Sequence, residues 1–261
     1  MLAMRRLSRR AFLASSAAGL AAVFATRRAA ALGDGAKFSM ARLRYAGGNW
    51  DVRPLAARRL LWEVTKRTSI ESRAKEPVVT LRDAALYRTP FLYLTGDDAF
   101  SPWSADEIAN LRRYLSRGGF LFVDDATGTL DSAFDASVRR ELKRVFDPDR
   151  PIAALPRDHV IYKSFYLLNS AVGRVEIDPE LYGIDVDERT VVICSRNDAG
   201  GAWSRDNVGR WMFDVVPGGD RQREMAFRFG VNVVMYALCL DYKRDQVHVP
   251  LILKRRTPYA P

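Results

Sequence analysis

Acidic pairs directly follow two apolar segments that have the composition of buried strands. Asp97-Asp98 comes after residues 91–95, and Asp124-Asp125 comes after residues 120–123. Carboxylates at these positions could ligate a hard cation such as Mg²⁺ or Ca²⁺, or they could act as general acid and base. Helix caps and solvated turns use the same residues, so ordinary strand-end structure is the alternative. We take Asp124 and Asp125 as the better catalytic candidates, because Gly118-Gly119 keeps their strand close to its neighbours.

Two further loops follow apolar segments and carry small or polar residues. Gly47-Gly48-Asn49-Trp50 follows the first segment, and Ser195-Arg196-Asn197-Asp198 follows the last. Open α/β sheets bind ligands outside the carboxyl ends of their strands, and an indole such as that of Trp50 or Trp203 can stack on a sugar or another flat ligand. The sequence therefore predicts one binding site, with the candidate lining residues Gly47, Gly48, Asn49, Trp50, Asp97, Asp124, Asp125 and Asn197.

His159 is a third candidate for catalysis, as a base or as a metal ligand, with a structural role as the alternative. The only other histidine is His248, so a histidine-rich zinc site is excluded. Cys194 and Cys239 are the only cysteines. A cysteine nucleophile would need His159 as its base. A disulfide between the two cysteines is permitted by an oxidising compartment but is not implied by their spacing.

Alternating strands and helices must position these residues. Apolar segments at 38–45, 77–81, 91–95, 120–123 and 191–194 alternate with amphipathic segments that begin at Pro54, at the capping box of Ser104 and Glu107, near Phe134 and near residue 221. This order predicts an α/β fold, a three-layer sandwich with a mainly parallel sheet. The apolar part of the last helix, residues 229–240, is too short for a membrane span. Residues 157–182 show no regular period, and residues 243–261 are expected to form a C-terminal tail.

The first 31 residues have the three parts of an export signal. Arg9 and Arg10 stand in the pattern Ser-Arg-Arg-Ala-Phe-Leu, a weakly apolar run follows at 11–26, and Ala29-Ala30-Ala31 offers a cleavage site. This pattern resembles the twin-arginine signal, which a receptor reads as an address. We expect a signal peptide over residues 1–31, one α/β domain over residues 32–261, and a periplasmic or otherwise exported protein.

The net charge of +10 arises mainly from this segment. Six of the 41 basic residues lie in the first 31 positions and none of the 31 acidic residues does, so cleavage after Ala31 leaves a net charge of +4. The rest of the chain has no concentrated basic stripe, which argues against a nucleic-acid partner. We expect a small molecule or an envelope protein as partner, and contact with the membrane only through an uncleaved signal peptide.

Seven segments together resemble the bacterial domain-of-unknown-function 4159 family over residues 38–256. They are RYAGGNW at 44–50, PFLYLTG at 90–96, GGFLFVDD at 118–125, DH at 158–159, GAW at 201–203, GVNVVMYAL at 230–238 and DQVH at 245–248. The fold of that family is similar to the class I glutamine-amidotransferase-like fold. The resemblance therefore implies a flavodoxin-like arrangement of strands and helices.

The predicted nucleophile position distinguishes this chain from class I amidotransferases. Those enzymes place a nucleophilic cysteine on a sharp turn after a central strand, with a histidine downstream, whereas the corresponding strand here ends in Asp124-Asp125. The resemblance therefore implies a non-catalytic ligand- or partner-binding domain. The alternative is a cell-envelope hydrolase that uses strand-end carboxylates, with or without a divalent cation.

Overall fold

A seven-stranded sheet forms the centre of the structure, a computed structural model that describes residues 37–146 and 150–238. In chain order the strands are β1 (Met40–Leu43), β2 (Val78–Val79), β3 (Phe91–Gly96), β4 (Phe120–Asp125), β5 (Ala153–Ala154), β6 (Tyr182–Val186) and β7 (Arg189–Ser195). Their order across the sheet is β2-β1-β3-β4-β7-β6-β5. The strands from β2 to β7 in that order are parallel, and β6 and β5 extend the sheet by antiparallel pairing.

Helices cover both faces of the sheet. The longer ones are α1 (Ala56–Arg67), α2 (Ala105–Ser116), α3 (Ala133–Val145) and α5 (Gly219–Leu238), and α4 (Ala199–Trp203) is a single short turn. Helices α2 and α3 pack on one face, where Leu121 and Val123 of β4 join one apolar core. Helices α1, α4 and α5 contact one another on the other face, where Phe122 meets Trp203 and Phe229. The expected α/β class with a mainly parallel sheet is confirmed.

Strands β3 and β4 are buried along their whole length. A continuous apolar sequence is what a strand covered on both faces requires. Successive side chains of a strand point to opposite faces, so Phe122 and Asp124 point towards α4 while Val123 and Asp125 point towards α3. This alternation decides which neighbours each acidic side chain of β4 can reach.

Local signals define the ends of two helices. The Ser104 hydroxyl accepts a hydrogen bond from the Glu107 amide, and the Glu107 carboxylate accepts one from the Ser104 amide at 2.8 Å, which confirms the predicted capping box. The Ser132 hydroxyl caps α3 by accepting a hydrogen bond from the Asp135 amide at 2.8 Å. Each cap supplies partners for amides that the first turn leaves unpaired, and is worth about 1 kcal/mol.

The hairpin of β6 and β7 was not predicted from the sequence. Gly183 interrupts the apolar alternation of β6. Glycine is needed here because a Cβ at this position would lie 2.7 Å from the Thr190 side chain. Asp187 and Glu188 form the turn with φ values of 50° and 64°. Glutamate rarely adopts this left-handed backbone conformation, so its presence in the sequence does not indicate a turn. Residues 160–163 form one turn of 3₁₀ helix within the segment that lacked a regular period.

Some of the predicted features lie outside the described residues. They are the export signal at 1–31, Cys239, His248 and the tail at 243–261.

The last helix begins at Gly219, two residues earlier than expected. None of the helices in the described part of the chain has both the length and the apolar content that a membrane span needs.

Candidate functional site

The loops after β1 and β3 meet at the carboxyl edge of the sheet. The chain leaves β1 for β2 on one side and returns to β3 on the other, so strand order reverses between β1 and β3. A reversal of this kind opens a crevice beyond the strand ends, where open α/β sheets bind ligands. We call the carboxyl-edge surface that residues 46–51 and 97–101 form the β1/β3 crevice.

Direct contacts hold these two loops together. The Ser101 amide donates to the Ala46 carbonyl at 2.9 Å, and the exposed Asn49 amide donates to the Asp97 carboxylate at 3.3 Å. Gly47 has a φ of +78°, and a Cβ there would lie 2.0 Å from the Ser101 hydroxyl. Glycine is therefore needed at this position for both backbone conformation and close approach.

Aromatic rings lie beside the crevice. The Arg42 guanidinium stacks over the half-buried Trp50 ring at 5.3 Å and forms an ion pair with the exposed Asp51. Tyr45 is buried below the loops and donates its hydroxyl to the Thr95 carbonyl at 2.9 Å. Burial, and then the negative charges of Asp97 and Asp98, raise the pKa of Tyr45. The crevice thus combines exposed carboxylates and an amide with a half-buried indole.

Asp124 lies away from solvent, next to the first turn of α4. Its carboxylate accepts hydrogen bonds from the Tyr93 hydroxyl at 2.8 Å, the Ala199 amide at 2.8 Å and the Gly200 amide at 2.7 Å. Burial, and then the charge of Asp198, raise the pKa of Asp124 to about 7. Both carboxylate oxygens are therefore occupied by donors from inside the protein.

Asp198 forms the centre of a buried ion-pair cluster beside Asp124. Its carboxylate receives two hydrogen bonds from Arg53, at 2.8 and 2.6 Å, and a further ion pair from Arg174. It also accepts a hydrogen bond from the Gly201 amide at 2.9 Å, which caps α4. The Arg53 guanidinium stacks on the Phe213 ring at 4.2 Å. This cluster ties the segment before α1 to the loop after β7.

Arg53 and Arg174 were not singled out by the sequence. Arg53 precedes Asp198 by 145 positions, and a lone arginine before Pro54 has no local partner that would indicate burial. The only available signal was the small-residue run at 199–202, which lets a helix turn pack closely behind Asp198.

Asp125 points to the opposite face from Asp124. Its carboxylate accepts hydrogen bonds from the Thr127 amide at 2.9 Å, from the Thr127 hydroxyl at 2.7 Å and from the Ser132 hydroxyl. Burial raises its pKa, and these donors oppose that shift. Asp125 therefore fixes the loop between β4 and α3, and the two neighbouring carboxylates do not face a common space.

Asn197 and Trp203 are both fully buried. The Asn197 side chain accepts from the Ile177 and Asp178 amides and donates to the Ala171 and Asp178 carbonyls, so it fixes the segment that crosses behind the loop after β7. The Trp203 indole donates to the Ala226 carbonyl at 2.9 Å. The structure therefore does not bring either side chain to the surface of the crevice.

His159 lies at the other end of β7. Its Nδ1 accepts from the Ile161 amide at 3.2 Å, so the neutral ring carries its proton on Nε2 and donates to the Thr190 hydroxyl at 3.0 Å, which in turn donates to Asp185 at 2.6 Å. Thr190 precedes Ser195, the partner of Asp124, by five residues, or about 16 Å of strand. The structure therefore does not bring His159 together with Asp124.

Cys194 points into the core between the sheet and the helices α2 and α3 as a buried free thiol. Burial raises its pKa to about 12, so the thiol is uncharged at neutral pH and is a poor nucleophile. Within residues 37–146 and 150–238, no group of three histidine, cysteine, aspartate or glutamate side chains has the arrangement of a metal site.

Comparison with known proteins adds one match. Residues 39–238 match a family described as domain of unknown function, DUF4159. This range extends from β1 to the end of α5, so it includes the β1/β3 crevice and the ion-pair cluster around Asp198. No curated protein matches the chain.

Proposed function

The chain belongs to the DUF4159 family, and we propose that it is an exported, non-catalytic domain that binds a small, hydroxyl-rich ligand in the β1/β3 crevice. We further propose a flavodoxin-like arrangement of the kind found in class I glutamine amidotransferases. The order β2-β1-β3-β4-β7 supports this assignment, because it corresponds to the 2-1-3-4-5 order of flavodoxin-like sheets, whose ligands bind between strands 1 and 3.

One contrast between side chains carries the proposal. Asn49 and Asp97 are exposed at the strand reversal, whereas Asp124 and Asp125 are buried and accept hydrogen bonds from inside the protein. A general base or metal ligand must reach its substrate or ion. The engagement of both β4 carboxylates therefore supports binding over hydrolysis.

The groups around the crevice indicate the ligand chemistry. A carboxylate and an amide can accept and donate hydrogen bonds with neighbouring hydroxyl groups. The Arg42 guanidinium lies over the half-buried Trp50 ring, and the exposed part of this indole adds an apolar contact for a sugar. We therefore place saccharides first among the candidate ligands, ahead of an envelope protein.

Thermal unfolding in the presence of saccharides tests the binding site. We expect at least one mono- or disaccharide to raise the Tm of the wild-type protein, because a ligand that binds only the folded state stabilises it, by about 2.7 kcal/mol at 100 times its Kd. Asp97→Asn and Asn49→Ala should each weaken this binding at least tenfold. Asp158→Asn is the matched control, since Asp158 is also an exposed acid but belongs to the segment before His159.

Two results would overturn the proposed site. The first is the absence of any saccharide-dependent shift of Tm in the wild-type protein. The second is equal saccharide affinity of Asp97→Asn and Asp158→Asn, which would place the ligand elsewhere on the protein.

The export route rests on Arg9 and Arg10. We expect the double substitution Arg9→Lys and Arg10→Lys to retain the protein in the cytoplasm, because the receptor of the twin-arginine route reads the paired arginines. Cell fractionation measures the distribution, and mass spectrometry of the exported protein should give an N-terminus directly after Ala31. Export of the double variant at the wild-type level would contradict the assignment.

A further inference from the structure

A second concave site lies on the helical face that carries α1 and α5. It has a volume of about 340 Å³. Its lining consists of four arginines, three acids and two aromatic rings: Arg59, Arg67, Arg205, Arg223, Glu63, Asp220, Glu224, Trp211 and Phe227. We call it the arginine pocket. It shares no lining residue with the β1/β3 crevice, and its volume falls within the range of small-molecule sites.

Part of the positive charge in this pocket is balanced by glutamates. Arg67 pairs with Glu63 at 2.7 Å and with Glu224 at 2.8 Å, and Arg59 contacts Glu63 at 2.6 Å. Glu63 is buried between the two arginines, and Glu224 also pairs with Arg228 at 3.0 Å. The glutamates that line the pocket are thus already neutralised by their arginine partners.

Among the described residues, Arg205 and Arg223 are the two pocket arginines without a glutamate partner. Within the part of the chain that the structure describes, neither forms an ion pair with a carboxylate. Arg223 is only 6% exposed and donates to two main-chain carbonyls, those of Ala202 and Phe213, each at 2.7 Å. Carbonyl groups satisfy hydrogen bonds but do not neutralise a charge. The four arginines of the pocket therefore exceed its three acids by one positive charge.

Stacking fixes the positions of these two guanidinium groups. The guanidinium groups of Arg205 and Arg223 lie over the same Trp211 ring, at 3.7 and 4.1 Å from its centroid. Burial lowers the pKa of Arg59 and of Arg223, and the neighbouring charge of Arg205 lowers both further, although Glu63 and Asp220 respectively oppose the shift. Like charges in one pocket repel each other, and a bound anion would relieve that repulsion.

Hydrogen-bonding capacity is also unused. The Nε atoms of Arg59, Arg205 and Arg223 are buried and have no hydrogen-bond partner among the described residues. A planar guanidinium presents a fork of donors that matches the oxygens of a phosphate group. Asp220 is the one pocket acid that forms no ion pair in the described ranges, and its exposed position allows it to remain solvated.

We propose that the arginine pocket binds a phosphate-type oxyanion, separately from the ligand of the β1/β3 crevice. Arg205 and Arg223 supply the charge, and Arg59 supplies further donors. The Trp211 and Phe227 rings, on which these arginines stack, also line the pocket as its apolar walls, and they suit an organic group attached to the phosphate. The two sources of this chemistry, free inorganic phosphate and a phosphate monoester, differ in whether they can use these walls.

Isothermal titration of the full chain tests the proposal with inorganic phosphate and with phenyl phosphate, at constant ionic strength in sodium chloride. We expect both to bind, with phenyl phosphate at least threefold tighter if the pocket serves an ester. Arg205→Gln should weaken phosphate binding at least tenfold, because Arg205 has no carboxylate partner to leave behind. Arg210→Gln is the matched control, since Arg210 is highly exposed and pairs with Asp206, which lies outside the pocket.

Arg205→Lys distinguishes a loss of phosphate binding from an effect of the substitution on folding. It keeps the positive charge but loses the planar fork, so its phosphate affinity should lie between those of the wild-type protein and Arg205→Gln. Binding of phosphate no stronger than that of chloride would overturn the proposal, as would equal affinities of Arg205→Gln and Arg210→Gln. The saccharide-dependent Tm shift of Arg205→Gln should remain at the wild-type value, so the two proposed sites can fail independently.

Discussion

Asp124 and Asp125 are adjacent in β4, yet their carboxylates serve opposite faces of the sheet. Asp124 accepts hydrogen bonds from the Ala199 and Gly200 amides at the start of α4. Asp125 accepts hydrogen bonds from the Thr127 and Ser132 hydroxyl groups before α3. In sequence they look like a catalytic pair, but in the fold each anchors a different helix. The two adjacent carboxylates thus have separate structural roles.

The buried Asp124 should make stability depend on pH. Its folded-state pKa of about 7 lies above its unfolded value, so the folded protein binds the extra proton between about pH 4 and 7. The stability contributed by Asp124 is therefore fully present below this window and is lost as pH rises through it.

Urea denaturation of the wild-type protein and of Asp124→Asn measures this effect. The stability difference between the two should shift against the wild-type protein as pH rises from about 4 to 7, by at most about 1.4 kcal/mol per unit. Asp97→Asn is the control, since it also removes one carboxylate, but at an exposed position. A stability difference that stays constant across the window would contradict the role given to Asp124.

The ion pair of Arg53 and Asp198 should be a major determinant of stability. Both side chains are buried, and loss of the Arg53 guanidinium leaves the buried Asp198 carboxylate with Arg174 as its remaining charged partner. Arg53→Gln should lower the free energy of unfolding by about 1–3 kcal/mol. Arg58→Gln, which removes a half-exposed arginine that contacts Glu76 at 3.4 Å, should cost less than about 1 kcal/mol. Equal losses in the two variants would show that Asp198 does not need Arg53.

His159 should matter for stability and not for binding. Its ring joins the 3₁₀ turn to β7 through Thr190, and loss of such hydrogen bonds costs about 1–3 kcal/mol. His159→Ala should therefore lower Tm while leaving saccharide affinity at the wild-type value. A tenfold loss of affinity in a folded His159→Ala protein would assign the histidine to the binding site after all.

The sequence predicts features that depend on neighbouring residues. The capping box of Ser104 and Glu107 and the buried strands β3 and β4 are local patterns, and the structure confirms them. The meeting of the Asn49 and Asp97 loops followed from the rule that parallel strands share a carboxyl edge. The opposite orientation of Asp124 and Asp125 also follows from strand alternation, once that strand is taken to extend through both residues.

Long-range pairing explains what the sequence did not predict. Arg53 and Asp198 are 145 positions apart, and no local pattern connects them. The position of His159 depends on the hairpin of β6 and β7, whose apolar alternation Gly183 interrupts. The arginine pocket combines residues of α1, α5 and the segment around Trp211. The sequence does not predict this cluster of arginines, because it depends on how these elements pack together.

Hydrogen–deuterium exchange with the saccharide that stabilises the protein tests the central claim most directly. The bound ligand should slow exchange in residues 46–51 and 97–101, which form the β1/β3 crevice, and leave exchange around Asp124 and His159 unchanged. Protection confined to residues 124–127 or 159–163, with none in the two crevice loops, would contradict a binding site at the reversal of strand order.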